Sequence, residues 1–160
     1  MENLIDEYLK DAGIPANKQY DEDGDVLYFT EFELQSGTFN LTILISSEYQ
    51  NLTLLLNAPI KVPPPKRPAI AEYIARANFH SYEGNIILDF SDGDLAYKNS
   101  LRFDPEEDIS HIRYQLNISL GMALDEMETH FPGILSVIYS DELPDHAHGK
   151  AVLGTCPELN

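Results

Sequence analysis

The sequence predicts an α+β fold: an antiparallel sheet of about five strands packed with helices, in the order α-βββ-α-ββ-α. Three observations carry this reading. Residues 26–57 hold three runs of alternating apolar and polar side chains, separated by short polar turns. Asp92-Gly93 stands between two further runs, among the strongest short-range hairpin signals. From Ile109 to Phe131, apolar residues recur at three- and four-residue spacing, the period of a helix with one buried face.

Taken in order, Glu2 to Ala12 reads as a short helix with Leu4, Ile5, Tyr8 and Leu9 on one face; Gly13 and Pro15 stop it. Residues 16–24 read as a polar loop. The acidic cluster Asp21 to Asp25 lacks the ligand spacing of an EF-hand and reads as a solvated turn. Val26 to Leu34 is the first expected strand. Thr38 to Ser46 sets Phe39, Leu41, Ile43 and Ile45 against Asn40, Thr42 and Leu44. Asn51 to Asn57 sets Leu52, Leu54 and Leu56 against Thr53 and Leu55. Ala58 to Pro68 reads as a linker unable to continue the sheet, because Pro63, Pro64, Pro65 and Pro68 lack backbone donors.

A second helix starts near Pro68 and buries Ile70, Tyr73, Ile74 and Ala77. The hairpin strands follow at Asn85 to Phe90 and Leu95 to Phe103, with Ile87 on the outer face. Asp104 is the expected cap of the long helix and Pro105 its first turn, with Glu106, Glu107 and Asp108 at the positive end of the dipole. Pro132-Gly133 is expected to interrupt that helix. Residues 1–140 then form one domain, and 141–160 a loosely structured tail.

Charge restricts the partners. Ten Lys and Arg stand against 27 Asp and Glu, a net charge of -17. Nucleic-acid binding needs a basic footprint, and an anionic membrane surface would repel this chain equally. No run is long and apolar enough to span a bilayer, and the acidic start is unlike a signal peptide, so a cytoplasmic location is expected. Cys156 is the only cysteine, which excludes an internal disulfide and a cysteine zinc site. It has no histidine at a recognisable catalytic spacing. His111 and His130 are too far apart for a helical zinc pair. Asp145, His146 and His148 suggest a weak metal site only if the tail is extended, and no third ligand is evident. No nucleophile elbow, phosphate loop or dinucleotide fingerprint occurs. No catalytic, cofactor-binding or metal residue is therefore expected, and the chain reads as no enzyme.

The region 26–140 resembles the YbjN family of bacterial proteins, loosely described as sensory transduction regulators. The resemblance rests on the leucine-rich strand before Ile60-Lys61-Val62-Pro63, then Arg67, Glu72 and Arg76-Ala77-Asn78. Gly84-Asn85, Leu88-Asp89, the Asp92-Gly93 hairpin with Tyr97-Lys98, and Phe131-Pro132 complete it. That family is similar in fold to type III secretion chaperones, which implies a homodimer and a protein-binding role of chaperone or adaptor type. It carries no catalytic residue to transfer. Leu44, Leu55 and Ile87, apolar residues on the outer sheet face, are the candidate anchors for a protein partner. The alternative is a small-molecule-binding domain or enzyme whose pocket forms only in three dimensions.

Overall fold

The computed structural model describes residues 1–46, 48–104 and 108–154. Helix α1 (Glu2–Asp11) precedes strands β1 (Asn17–Tyr20), β2 (Val26–Leu34), β3 (Gly37–Ser46) and β4 (Asn51–Lys61). A single 3-10 turn at Pro64–Lys66 leads into α2 (Arg67–Asn78), and β5 (Asn85–Leu88) and β6 (Asp94–Arg102) form the hairpin. Helices α3 (Ile109–Tyr139) and α4 (Pro144–Gly154) complete the described chain. The strands form one antiparallel sheet in the order β1-β2-β3-β4-β6-β5.

The period-two pattern decides which face is covered. Tyr28, Phe39, Leu41, Ile43, Ile45, Leu52, Leu54, Leu56, Leu95 and Tyr97 are all buried on one face. Helix α3 lies on that face: Phe131 meets Phe39 edge-on with ring centroids 5.0 Å apart, and Asn99 Nδ2 donates to Ser119 Oγ at 3.0 Å. Helix α1 joins it through Ile5, Tyr8 and Leu9, with the Tyr8 hydroxyl donating to Asn117 Oδ1 at 3.0 Å. Ile70, Tyr73, Ile74 and Ala77 are the buried face of α2, as their spacing predicts. Each fully buried Leu, Ile or Phe contributes about 1.5–3 kcal/mol, so this stripe-on-sheet contact supplies the main driving force.

Among the described residues the sheet has six strands where about five were expected. The extra strand, β1, falls in the stretch read as a polar loop. Its residues are mostly exposed, so no apolar alternation marks it. Ion pairs hold it instead: Lys18 Nζ lies 2.5 Å from Glu2 Oε1 and 2.8 Å from Asp6 Oδ2 of α1. Strand β4 also runs on to Lys61, through the expected linker. Its register shifts between Asn57 and Lys61, and that irregularity accommodates Pro59 inside the strand. Val62 N–H then donates to Gly93 O at 2.8 Å. Gly93 has φ +88°, and any Cβ there would collide with the Val62 carbonyl, so the hairpin turn requires glycine on both counts.

Three further expectations are corrected. The long helix is capped by Asp108, whose Oδ1 accepts from Ser110 N–H at 2.9 Å, and not by Asp104. Residues 105–107 and Cys156 lie outside the described residues. Pro132 does not interrupt α3. Phe131, Ile134, Val137 and Ile138 continue its buried stripe, and their burial exceeds the roughly 3 kcal/mol an interior proline costs. The segment after 140 is not loose, since residues 144–154 form α4. Pro144 and Ala147 are buried, and Lys66 pairs with Asp141 in the connecting turn. With only two buried positions in eleven, α4 shows almost no periodic signal.

Candidate protein-binding surface

The opposite face of the sheet carries the candidate anchors. Register places Leu27 opposite Leu44 and Leu44 opposite Thr53, while Phe29 faces Thr42 and Thr42 faces Leu55. Leu44 and Leu55 are therefore diagonal neighbours across adjacent strands, within reach of one another. Leu27 and Phe29 extend them into a four-residue apolar cluster, each member half-buried. Ile87, 39% exposed, lies on the same face but apart, because β6 intervenes with Lys98 opposite Leu55 and Ala96 opposite Ile87. Polar groups rim the cluster, including Thr53 and Ser100, whose hydroxyls are 2.9 Å apart. The alternation in Val26–Leu34 held the signal for Leu27 and Phe29: Val26 and Tyr28 are buried, so their neighbours point outward.

The two sheet edges differ. At β5, Asn78 closes the edge: Ile86 N–H donates to Asn78 Oδ1, and Asn78 Nδ2 donates to Ile86 O, both at 2.9 Å. Arg67 fastens the adjoining turn, donating to Val62 O at 3.1 Å and to Phe90 O at 2.6 Å. At the other edge, β1 pairs only with Val26–Phe29, leaving the rest of β2 without an outer strand among the described residues. A cavity of about 770 Å³ opens at that step, lined by Pro15, Ala16 and Asn17, by Phe29, Thr30 and Glu31 of β2, and by Asn40 and Leu41 of β3.

A histidine cluster lies on the helical side. The His130 and His148 rings stack with centroids 5.7 Å apart, and each meets Tyr73 edge-on. The Tyr73 hydroxyl donates to His130 O at 3.2 Å and lies 3.3 Å from its Nδ1. Burial, with His148 beside it, holds His130 down to about 4. Burial, then His80 and Arg76, lowers His148 as well. Burial raises Glu126, whose Oε2 is 3.5 Å from His130 Nε2. The tail thus turns His148 inward against Tyr73 and His130, while Asp145 and His146 remain exposed. Among the described residues no group of three or more His, Cys, Asp or Glu is arranged to hold a metal ion. No described helix is long and apolar enough to cross a membrane.

This meander, helix, hairpin and long helix, in this order, are matched over residues 3–136 by the YbjN family, described as "Putative bacterial sensory transduction regulator". The chain belongs to the YbjN family. Its fold is similar to the crystal structure of YbjN from E. coli, with a TM-score of 0.59 and 13% identity, covering 80% of this chain and 89% of that one. A chain of the ExsC–ExsE complex aligns with a TM-score of 0.49 and 16% identity, over 79% of this chain and 86% of its own. A chain of the HopA1–SchA chaperone–effector complex aligns at 0.44 and 13%, over 76% and 88%. No curated relative matches the sequence. Helix α4 lies beyond the residues the family matches.

Proposed function

We propose that this chain is a non-enzymatic protein-binding regulator or adaptor of the bacterial cytoplasm, working as a homodimer. The observation that supports this is the outer sheet face: Leu27, Phe29, Leu44 and Leu55 form an apolar cluster with a polar rim on the side away from α1 and α3. Apolar clusters of this kind, rimmed by polar groups, are the ordinary anatomy of a contact surface. The net charge of -17 turns such a surface toward neutral or basic proteins.

The test recovers tagged protein from its native cytoplasm and identifies what accompanies it by mass spectrometry, beside a folded Leu44→Asp/Leu55→Asp variant. A partner retained by the wild type and lost by the variant supports the reading. Equal recovery by both removes this surface from it. No partner in either, together with a thermal shift caused by a small molecule, replaces it with the ligand-binding alternative.

A further inference from the structure

We infer that the open stretch of β2, Glu31–Leu34, takes up an extended segment of a partner protein as an added strand, one alternating lysine or arginine with apolar side chains. The inference rests on the protein-binding reading and names the partner segment's chemistry. It begins with backbone direction. Leu34 and Gly37 close the two-residue turn at Gln35-Ser36, so the even residues of β2 exchange hydrogen bonds with β3. The odd residues turn the other way, as the bond from Asp21 N–H to Asp25 O at 3.1 Å shows on the β1 side. Leu27 and Phe29 meet Gln19 and Asn17 of β1. Glu31 and Glu33 meet no strand among the described residues, which leaves two N–H and two C=O groups aimed off the edge. Pro15, two residues before Asn17, has no N–H with which to carry the β1 ladder further, and a cavity separates it from Glu31.

A bare edge invites any strand, so charge and shape decide which one fits. Glu31 and Glu33 are exposed on one face, and neither pairs with a cation among the described residues. Phe32 and Leu34 are half-buried on the other face, packed against the core. A second copy pairing antiparallel about Phe32 would set each Glu31 against the other copy's Glu33, which like charge disfavours. An incoming strand with cations on one face and apolar side chains on the other satisfies both rows. The opposite edge offers no equivalent, because Asn78 already occupies the Ile86 groups.

An eight-residue peptide alternating lysine and valine is the probe, with a glutamate–valine peptide of equal length as control. Site-resolved amide hydrogen exchange is read with and without peptide. The lysine peptide is expected to slow exchange at Glu31 and Glu33 at least tenfold, and the glutamate peptide to leave it unchanged. A Glu31→Lys/Glu33→Lys variant, checked for folding by circular dichroism, is expected to reverse that preference. Binding without protection at those two amides, or no protection at millimolar peptide, overturns the inference. So does protection that grows with protein concentration alone, which would place a second copy on the edge. If the Leu44→Asp/Leu55→Asp variant still loses a native partner while the edge test fails, only the edge inference falls.

Discussion

Replacing Gly133 by alanine tests how closely α2 and α3 approach. A Cβ there would overlap the Tyr73 hydroxyl and stand 2.9 Å from Cζ and 3.0 Å from Cε2 of the same ring. Tyr73 is fully buried, and its hydroxyl is held by His130, so the ring has little room to withdraw. Overpacking of this kind costs about 1–3 kcal/mol. Against it stands the helix propensity of alanine over glycine, worth about 1 kcal/mol at an interior position. The expected net loss is about 0–2 kcal/mol, well short of the stabilisation that propensity alone would give, by urea unfolding followed at 222 nm. Tyr73→Phe alone removes one hydrogen bond, at a cost of about 1 kcal/mol. It also removes the overlapping oxygen, so the double variant is expected to lose at least about 0.5 kcal/mol less than the two single losses summed. The ring carbons remain close, so rescue is partial. If Gly133→Ala stabilises by the full propensity gain, the contact does not exist and the packing described for α2 and α3 is wrong.

Stability is also expected to depend on His130. The folded chain holds it down to about 4, against an ordinary 6.5, so below pH 6.5 the unfolded chain takes up a proton that the folded chain refuses. The contribution is complete above pH 6.5, falls toward pH 4 and is flat below. Between pH 7 and pH 5 it amounts to about 2 kcal/mol, and His130→Gln is expected to remove that much of the wild-type slope. An unchanged slope in the variant refutes the burial argument. Asn78→Ala is expected to cost about 1–3 kcal/mol, because both Ile86 backbone groups lose their partners, and to speed exchange of the Ile86 amide. Retained protection there would mean that another group closes the edge. The Leu44→Asp/Leu55→Asp variant is expected to keep the wild-type circular dichroism spectrum, because both side chains lie away from the core; a collapsed spectrum contradicts that placement.

The elements that bury a regular face were legible in the sequence. Strands β2 and β3, the first part of β4, the hairpin and both long helices each place apolar residues at the period their geometry demands. What was not legible is held by other means. Strand β1 is fixed by Lys18 between Glu2 and Asp6, contacts that no local pattern records. Helix α4 presents only Pro144 and Ala147 to the core. Prolines misled in two ways: those from Pro63 onward set the linker's start too early, since β4 runs on past Pro59 at a register shift, and Pro132 lies in a helix held by Phe131 and Ile134. The outer-face placement of Leu44, Leu55 and Ile87 follows from alternation. The separation of Ile87 from the other two depends on strand order, which sequence period does not determine.

The most direct test of the binding surface is site-specific photocrosslinking in the native host cell. A crosslinker at Leu55 reports the outer sheet face, and one at Tyr114, exposed on α3, reports the helical side. A discrete adduct heavier than a homodimer from position 55, absent from position 114, is the expected result. Adducts from 114 alone would place the partner on the helices and contradict the account.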